Sequence, residues 1–187
     1  MAGQRVLFIG KIAHDRLGEV WVAVGEKGLA AVKIHTTGQA FARMLAERWS
    51  AQVFPDEGRT AEARSQLAAY LQGERKQFDI EIDWSVMTPF QEKVLRATCA
   101  IPRGETRSYG EIAAAVGNPR AARAVGRAQA TNPMPLVIPC HRVIGADGGL
   151  HGYGGAGGLQ TKAWLLELEG VRLPANRAET DKNNPAD

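Results

Sequence analysis

A short apolar run near residue 140 constrains this chain more than any other stretch. It spans residues 138–144, where Cys140 stands between Pro139 and His141 in a segment otherwise typical of a protein interior. An intracellular cysteine in such a setting is most often a small, inert core residue. A cysteine with a base at hand can instead be a nucleophile, because loss of its proton gives the reactive thiolate. The rest of the sequence decides between these two interpretations.

The composition predicts a folded protein of ordinary type. The 187 residues suit one large domain or two small ones, and 44% of them are hydrophobic and 23% charged. Two cysteines, Cys99 and Cys140, are too few for a disulfide framework or a Cys-rich metal site. We therefore expect no metal and no cofactor. The sequence shows no signal peptide or membrane-spanning run, so we expect a reduced intracellular location.

The first part of the chain, residues 1–83, is predicted to be a supporting α+β domain with a three-stranded antiparallel sheet. Apolar runs flank a glycine-containing hairpin at residues 25–28. Helices are expected from about 36 to 49 and from 60 to 73, and the alternation in 78–83 indicates a half-buried strand. No catalytic cluster precedes residue 85.

The second part, residues 84–173, is predicted to be mostly helical. Pro89 is typical of the first position of a helix, here running to Ala100. Ser108 and Glu111 form a capping-box pattern for a helix from 109 to 116, and Pro119 is expected to open the next helix, to about residue 131. Two short helices around a glycine turn have the outline of a helix-turn-helix. A last helix is expected at 162–170, and residues 174–187 are expected to be disordered.

Three arginines share one face of the second short helix. They are Arg120, Arg123 and Arg127, separated by alanines and a glycine that keep the helix thin. Such a face is usually only solvated. It can also bind phosphates and approach a narrow minor groove closely. No Asn or Gln precedes Gln129 on that face to recognise adenine, so DNA binding of this kind would have little sequence preference.

Several ordered motifs accompany Cys140, and together they closely resemble the O6-alkylguanine-DNA alkyltransferases, also called methylated-DNA–protein-cysteine methyltransferases. The resemblance covers about residues 84–172, whereas residues 1–83 match only in outline. The motifs lie at residues 88–91, 101–106, 108–110, 120–126, 132–133, 139–143, 152–154 and 164–166.

The resemblance implies direct reversal of DNA damage. An O6-alkylguanine, or an O4-alkylthymine, is flipped out of double-stranded DNA bound through its minor groove, and Cys140 takes the alkyl group irreversibly, once per molecule. It also implies a helix-turn-helix domain that carries the reactive cysteine. We expect a monomer in the cytoplasm, associated with the nucleoid and of bacterial or archaeal type. Cooperative binding along DNA is left open.

The catalytic roles follow from the resemblance residue by residue. His141 would act as the base through a water, and an acid on the last helix would orient it. Glu169 and Glu167 are both candidates, and the family pattern favours Glu169, which stands just before a glycine. Asn132 resembles the hinge that precedes the active-site segment.

The DNA and substrate contacts carry over in the same way. Arg123 resembles the finger that fills the space of the flipped guanine, and Tyr109 resembles the tyrosine that crowds the nucleotide's phosphate. Arg120 and Arg127 would bind DNA beside it. The residues expected to form the substrate pocket are Met134, Pro135, Val143, Tyr153, Gly154 and Gly155.

Two other functions fit part of the pattern. Cys, His and Asn also suit a cysteine hydrolase, although there the nucleophile and base normally come from distant parts of the chain, whereas Cys140 and His141 are adjacent. A non-catalytic protein that binds alkylated DNA and signals would lack the cysteine, which is present here. Cys99 has no catalytic neighbours in the sequence and is expected to be inert.

Overall fold

The computed structural model describes residues 4–151 and 157–172, which form two compact units. The first contains the chain up to Pro89 together with residues 133–137, and the second contains residues 90–132 and the chain from Ile138 onward. The predicted domain boundary after residue 83, with residues 84–173 folding as a domain, stays a prediction. None of the helices in the described ranges has the length and apolar character needed to cross a bilayer.

The first unit is built on a four-stranded sheet. Its strands are β1 (Val6–His14), β2 (Gly18–Gly25), β3 (Gly28–Ile34) and β4 (Gln52–Pro55), in the order β3-β2-β1-β4. β1, β2 and β3 are antiparallel neighbours, as predicted, and β4 adds a parallel edge strand to β1. The prediction of three strands was therefore one short, because four residues that end in proline have no clear strand pattern.

The residues predicted as a strand at 78–83 are not one. Only Ile82 forms a bridge, to Leu29 of β3. Two backbone hydrogen bonds with Leu29 hold the end of this segment, from the Leu29 nitrogen to the Glu81 carbonyl at 2.8 Å and from the Asp83 nitrogen to the Leu29 carbonyl at 2.9 Å. The amide oxygen of Gln66 accepts from the Asp79 backbone nitrogen at 2.8 Å. The alternation of apolar residues thus reflects one packed face of an irregular segment.

Two helices complete the first unit. Thr37 caps α1 (Gly38–Trp49), because its hydroxyl accepts from the Ala40 nitrogen at 3.3 Å. Thr60 precedes α2 (Ala61–Leu71), where its hydroxyl donates to the Asp56 carbonyl rather than capping the helix. Both predicted helices are confirmed, and α2 ends two residues before Gly73.

The second unit contains α4 (Tyr109–Ala115), α5 (Ala122–Ala130) and α6 (Gly158–Leu168), and all of α3 (Pro89–Cys99) except its first residue. The capping box of Ser108 and Glu111 is present, and it fixes the start of α4 next to the short strand β5 (Arg107–Ser108). β5 pairs in parallel with β6 (Val143–Ile144). The core of the two short helices contains Val94, Ile101, Ile112, Ala113, Val125, Ala128 and Val143.

Two predicted helix starts were wrong. α5 begins at Ala122 rather than Pro119, so Arg120 lies in the preceding turn while Arg123 and Arg127 lie on the helix. α6 begins at Gly158, four residues before the predicted Lys162. Neither helix has a side-chain cap at its start, so the sequence contained no local signal for these two boundaries.

Candidate active site

Cys140 is held by a rigid backbone. It opens a single 3₁₀ turn, Cys140–Arg142, that runs directly into β6. The Cys140 nitrogen donates to the Ile138 carbonyl at 2.8 Å, and the Arg142 nitrogen donates to the Pro139 carbonyl at 2.9 Å. The apolar residues that flank the cysteine are buried, so they anchor this turn in the interior. The position of the sulfur is therefore fixed by the fold.

Burial raises the pKa of the Cys140 thiol. Two neighbours oppose this effect: the side-chain amide of Asn132 hydrogen-bonds the sulfur, and the ammonium of Lys162 attracts a negative charge there. The resting thiol thus holds its proton at neutral pH, while the groups that would stabilise the thiolate are already in place.

Asn132 also ties the cysteine's segment to the end of α5. Its amide nitrogen Nδ2 donates to the Ile138 carbonyl at 2.9 Å, two residues before Cys140. The preceding residue, Thr131, is bonded in turn through its hydroxyl and carbonyl to the amide of Gln91 on α3, both at 3.0 Å. Asn132 therefore links the helix pair to the cysteine.

His141 lies against Glu169 in the interior. Its Nε2 is 3.1 Å from Glu169 Oε1, and both side chains are 0% exposed. Glu169 is the C-cap residue of α6, whereas Glu167 is exposed on that helix. Burial lowers the pKa of His141, although the Glu169 carboxylate works in the opposite direction. The imidazole is consequently neutral at pH 7 and able to accept a proton.

The Glu169 carboxylate is shared between two partners. Arg142 Nε donates to Oε2 at 2.7 Å and Nη2 donates to Oε1 at 2.8 Å. Hydrogen bonds from His141 and Arg142 hold the pKa of Glu169 far below its usual value, despite its burial. The third nitrogen, Nη1 of Arg142, donates to the Ile101 carbonyl at 2.5 Å. The sequence pattern predicted no separate role for Arg142.

Lys162 is a second residue that sequence reasoning missed. Its side chain is fully buried, and Nζ donates to the carbonyls of Val143 at 2.7 Å and His151 at 3.2 Å. Burial lowers the pKa of this lysine to about 8. A lysine among the apolar residues of a buried helix was the available signal, because lysine is almost never fully buried without a specific role.

The residues predicted to bind DNA lie together around α4 and α5. Arg120, Arg123 and Arg127 are exposed. Tyr109 begins α4, and its hydroxyl donates to the His151 carbonyl at 2.7 Å. A Cβ at Gly126 would lie 3.9 Å from the Tyr109 ring, so α5 passes close to the tyrosine.

The predicted pocket residues fall in three different places. Val143 is buried in β6, immediately after the turn of Cys140–Arg142. Met134 and Pro135 are buried in residues 133–137, which belong to the first unit. Tyr153, Gly154 and Gly155 lie outside the described residues. Within residues 4–151 and 157–172, no three His, Cys, Asp or Glu side chains are grouped so that they could hold a metal ion.

Known proteins resemble this chain in sequence. Residues 89–171 match the family model described as 6-O-methylguanine DNA methyltransferase, DNA binding domain. A methylated-DNA–protein-cysteine methyltransferase of Mycobacterium bovis is 54% identical over 122 residues, which are 65% of this chain and 72% of the relative. The chain belongs to this family. The corresponding protein of Bacillus subtilis, described as constitutive, is 50% identical over 111 residues, 59% of this chain and 66% of that protein.

Solved structures of the family have the same fold. The crystal structure of Mycobacterium tuberculosis OGT in complex with DNA aligns with a TM-score of 0.74 and 42% identity, covering 90% of this chain and 96% of that one. An O6-methylguanine-DNA methyltransferase from Pyrococcus kodakaraensis aligns with a TM-score of 0.59 and 27% identity, covering 88% and 99%. The likeness thus extends through the first unit, where the motifs gave only an outline.

The contact between Asn132 and the sulfur predicts a change in thiol reactivity. Replacing Asn132 with alanine removes a donor that favours the thiolate, so the pKa of Cys140 should rise further and its alkylation by iodoacetamide at pH 7 should slow by about tenfold. Peptide mass analysis over time measures this rate. Asn118→Ala, at an exposed position between α4 and α5, is the control and should react like the parent. Equal rates in all three proteins would contradict the role of the amide.

Proposed function

We propose that this chain repairs DNA by transferring the alkyl group of O6-alkylguanine, and of O4-alkylthymine, to the sulfur of Cys140. The observation that carries the proposal is the buried set formed by Cys140, His141 and Glu169, with Asn132 bonded to the cysteine's segment. The family supplies the reaction class, direct reversal of DNA damage by a protein cysteine.

The chemistry is a single displacement. The Sγ–carbon bond forms while the bond between that carbon and guanine O6 breaks, and the bonding pair stays on the guanine. The guanine thereby gains a negative charge, and the proton removed from the thiol balances it. The product is a thioether, which has no acyl carbon for water to attack. Each molecule therefore reacts once.

His141 is the base in this account. It is neutral because it is buried, and it takes the Cys140 proton through a water molecule. The imidazolium that forms lies beside the Glu169 carboxylate, so the positive charge is stabilised where it appears. Lys162 supports the negative charge on the sulfur in the same step.

DNA is the partner, and we propose that α5 enters its minor groove. Alanines and Gly126 keep this helix slim, and the exposed guanidinium of Arg123 would take the place of the flipped base. Arg120 and Arg127 would bind phosphates on either side, with little sequence preference. Tyr109 would crowd the phosphate of the rotated nucleotide. The protein acts as a monomer in the cytoplasm, at the nucleoid.

The pocket for the flipped base would include the backbone of Val143, close in the chain to Cys140. Met134, Pro135, Tyr153, Gly154 and Gly155 stay predicted pocket residues, the last three outside the described ranges. That residues 1–83 support the domain that carries Cys140 also stays a prediction.

The identity of the acceptor is tested by mass spectrometry after incubation with duplex DNA that contains O6-methylguanine. The parent and Cys99→Ala should each gain one methyl group per molecule, and Cys140→Ala should gain none. Peptide mapping should place the methyl on Cys140. Methylation of Cys140→Ala, or more than one methyl per parent molecule, would refute the mechanism.

The role of Arg123 is tested by comparing two substrates. Arg123→Ala should lose at least about tenfold in transfer rate from duplex DNA at saturating concentration, since base flipping costs a few kcal/mol that the finger offsets. Transfer from free O6-benzylguanine should be unchanged, because that substrate needs no flipping.

Arg127→Ala is the charge-matched control. Losing one phosphate contact should weaken duplex binding and reduce its salt dependence, while the rate at saturating DNA stays like that of the parent. Equal losses on duplex and free base by Arg123→Ala would contradict the finger role.

A further inference from the structure

The acid that lies against His141 depends on a residue with no role in the reaction as described so far. Glu169 is completely buried, and an isolated carboxylate in such a place would take up a proton rather than stay charged. Arg142 provides the opposite charge, with two nearly parallel hydrogen bonds of 2.7 and 2.8 Å. Geometry of this bidentate kind gives the strongest hydrogen bonds between an arginine and a carboxylate.

The arrangement of protons follows from these bonds. Both oxygens of Glu169 accept from Arg142, and Oε1 also faces His141 Nε2 at 3.1 Å. A carboxylate so occupied has no proton to give, so the hydrogen between it and the imidazole belongs to His141 Nε2. The lone pair of the neutral ring then lies on Nδ1. Only this tautomer leaves a basic nitrogen on the side away from Glu169.

We propose that Arg142 is a positioning residue: it keeps Glu169 ionised and thereby fixes the Nε2-protonated form of His141 that can accept the cysteine proton. The proposal rests on the proposed function of Cys140 and His141 and adds a residue that acts only through Glu169.

The fold holds Arg142 for this task. Its Nη1 bonds the Ile101 carbonyl at 2.5 Å, in the turn after α3. From the same turn, Arg103 Nη2 donates to the Leu168 carbonyl at 2.6 Å, next to Glu169. Both ends of the ion pair are thus attached to residues 101–103. This connection explains why an irregular turn far from Cys140 in sequence belongs to the site.

The other charges near this pair are few and are placed on different elements. Lys162 on α6 acts on His141, in the direction that disfavours the imidazolium, as does Arg142 itself. Cys99 at the end of α3 is exposed, and the charge of Arg142 acts on it as well. Arg142 therefore supplies a positive charge directly against both oxygens of the Glu169 carboxylate, and His141 is its other hydrogen-bonding partner.

The test compares the pH dependence of alkyl transfer from free O6-benzylguanine in three proteins. Without the guanidinium, as in Arg142→Met, the pKa of the buried Glu169 carboxyl should rise, and protonation at low pH should remove the acceptor for Nε2–H. The rate of Arg142→Met divided by that of the parent should therefore fall by at least about fivefold from about pH 8 to about pH 5. Arg142→Lys keeps a positive charge, so its ratio should stay nearly flat.

Two controls separate this role from simple damage to the fold. Arg96→Met removes an exposed arginine of α3 and should follow the parent at every pH. Glu169→Gln has no carboxyl to titrate, so adding Arg142→Met to it should give no new pH dependence. A pH-independent loss in Arg142→Met would overturn the proposal and leave the function of Cys140 intact. A parent protein that transfers no alkyl group would instead refute the proposed function.

A second measurement needs no variant, in case Arg142→Met does not fold. In the parent, the ¹³C chemical shift of the Glu169 side-chain carboxyl should show no protonation as the pH is lowered to well below 4.5, the ordinary pKa of a glutamate. Protonation of Glu169 at pH 4.5 or above would overturn the proposal.

Discussion

The buried carboxylate of Glu169 is the interaction on which the active site depends. It sits at the end of α6 and faces both His141 and Arg142, which are adjacent in the chain and next to Cys140. A charge in the interior is tolerated only when its partners satisfy it, and breaking such a set by removing one partner is typically costly. The turn formed by Cys140–Arg142, the last helix and the turn after α3 are therefore fixed relative to one another by one ionic cluster.

The cluster also explains how a buried cysteine can react. Burial alone makes Cys140 a poor acid and His141 a poor base, since it disfavours the charged form of each. Moving the proton from sulfur to imidazole creates two charges that already have partners, Glu169 for the cation and Asn132 and Lys162 for the anion. In the proposed mechanism, Cys140 can therefore hold its proton at rest and still be able to react.

Sequence reasoning reached the family and most of the elements because the decisive signals are local. Ser108 and Glu111 define a helix start by their own side chains, and Cys140 and His141 are adjacent. It missed Arg142 and Lys162 because their importance comes from burial, which depends on packing between distant segments. The start of α5 and the edge strand β4 were missed for a similar reason. α5 has no side-chain cap, and the four residues of β4 are too few for a strand pattern, so tertiary contacts determine where each begins.

The proposed proton transfer from Cys140 requires one particular protonation state of His141. ¹⁵N chemical shifts of its ring in the resting protein, recorded across neutral pH, report that state directly. We predict a neutral ring with its proton on Nε2, shared with Glu169, and an unprotonated Nδ1. A resting imidazolium, or a neutral ring with the proton on Nδ1, would contradict it, because neither form could take the proton of Cys140 from the side away from Glu169.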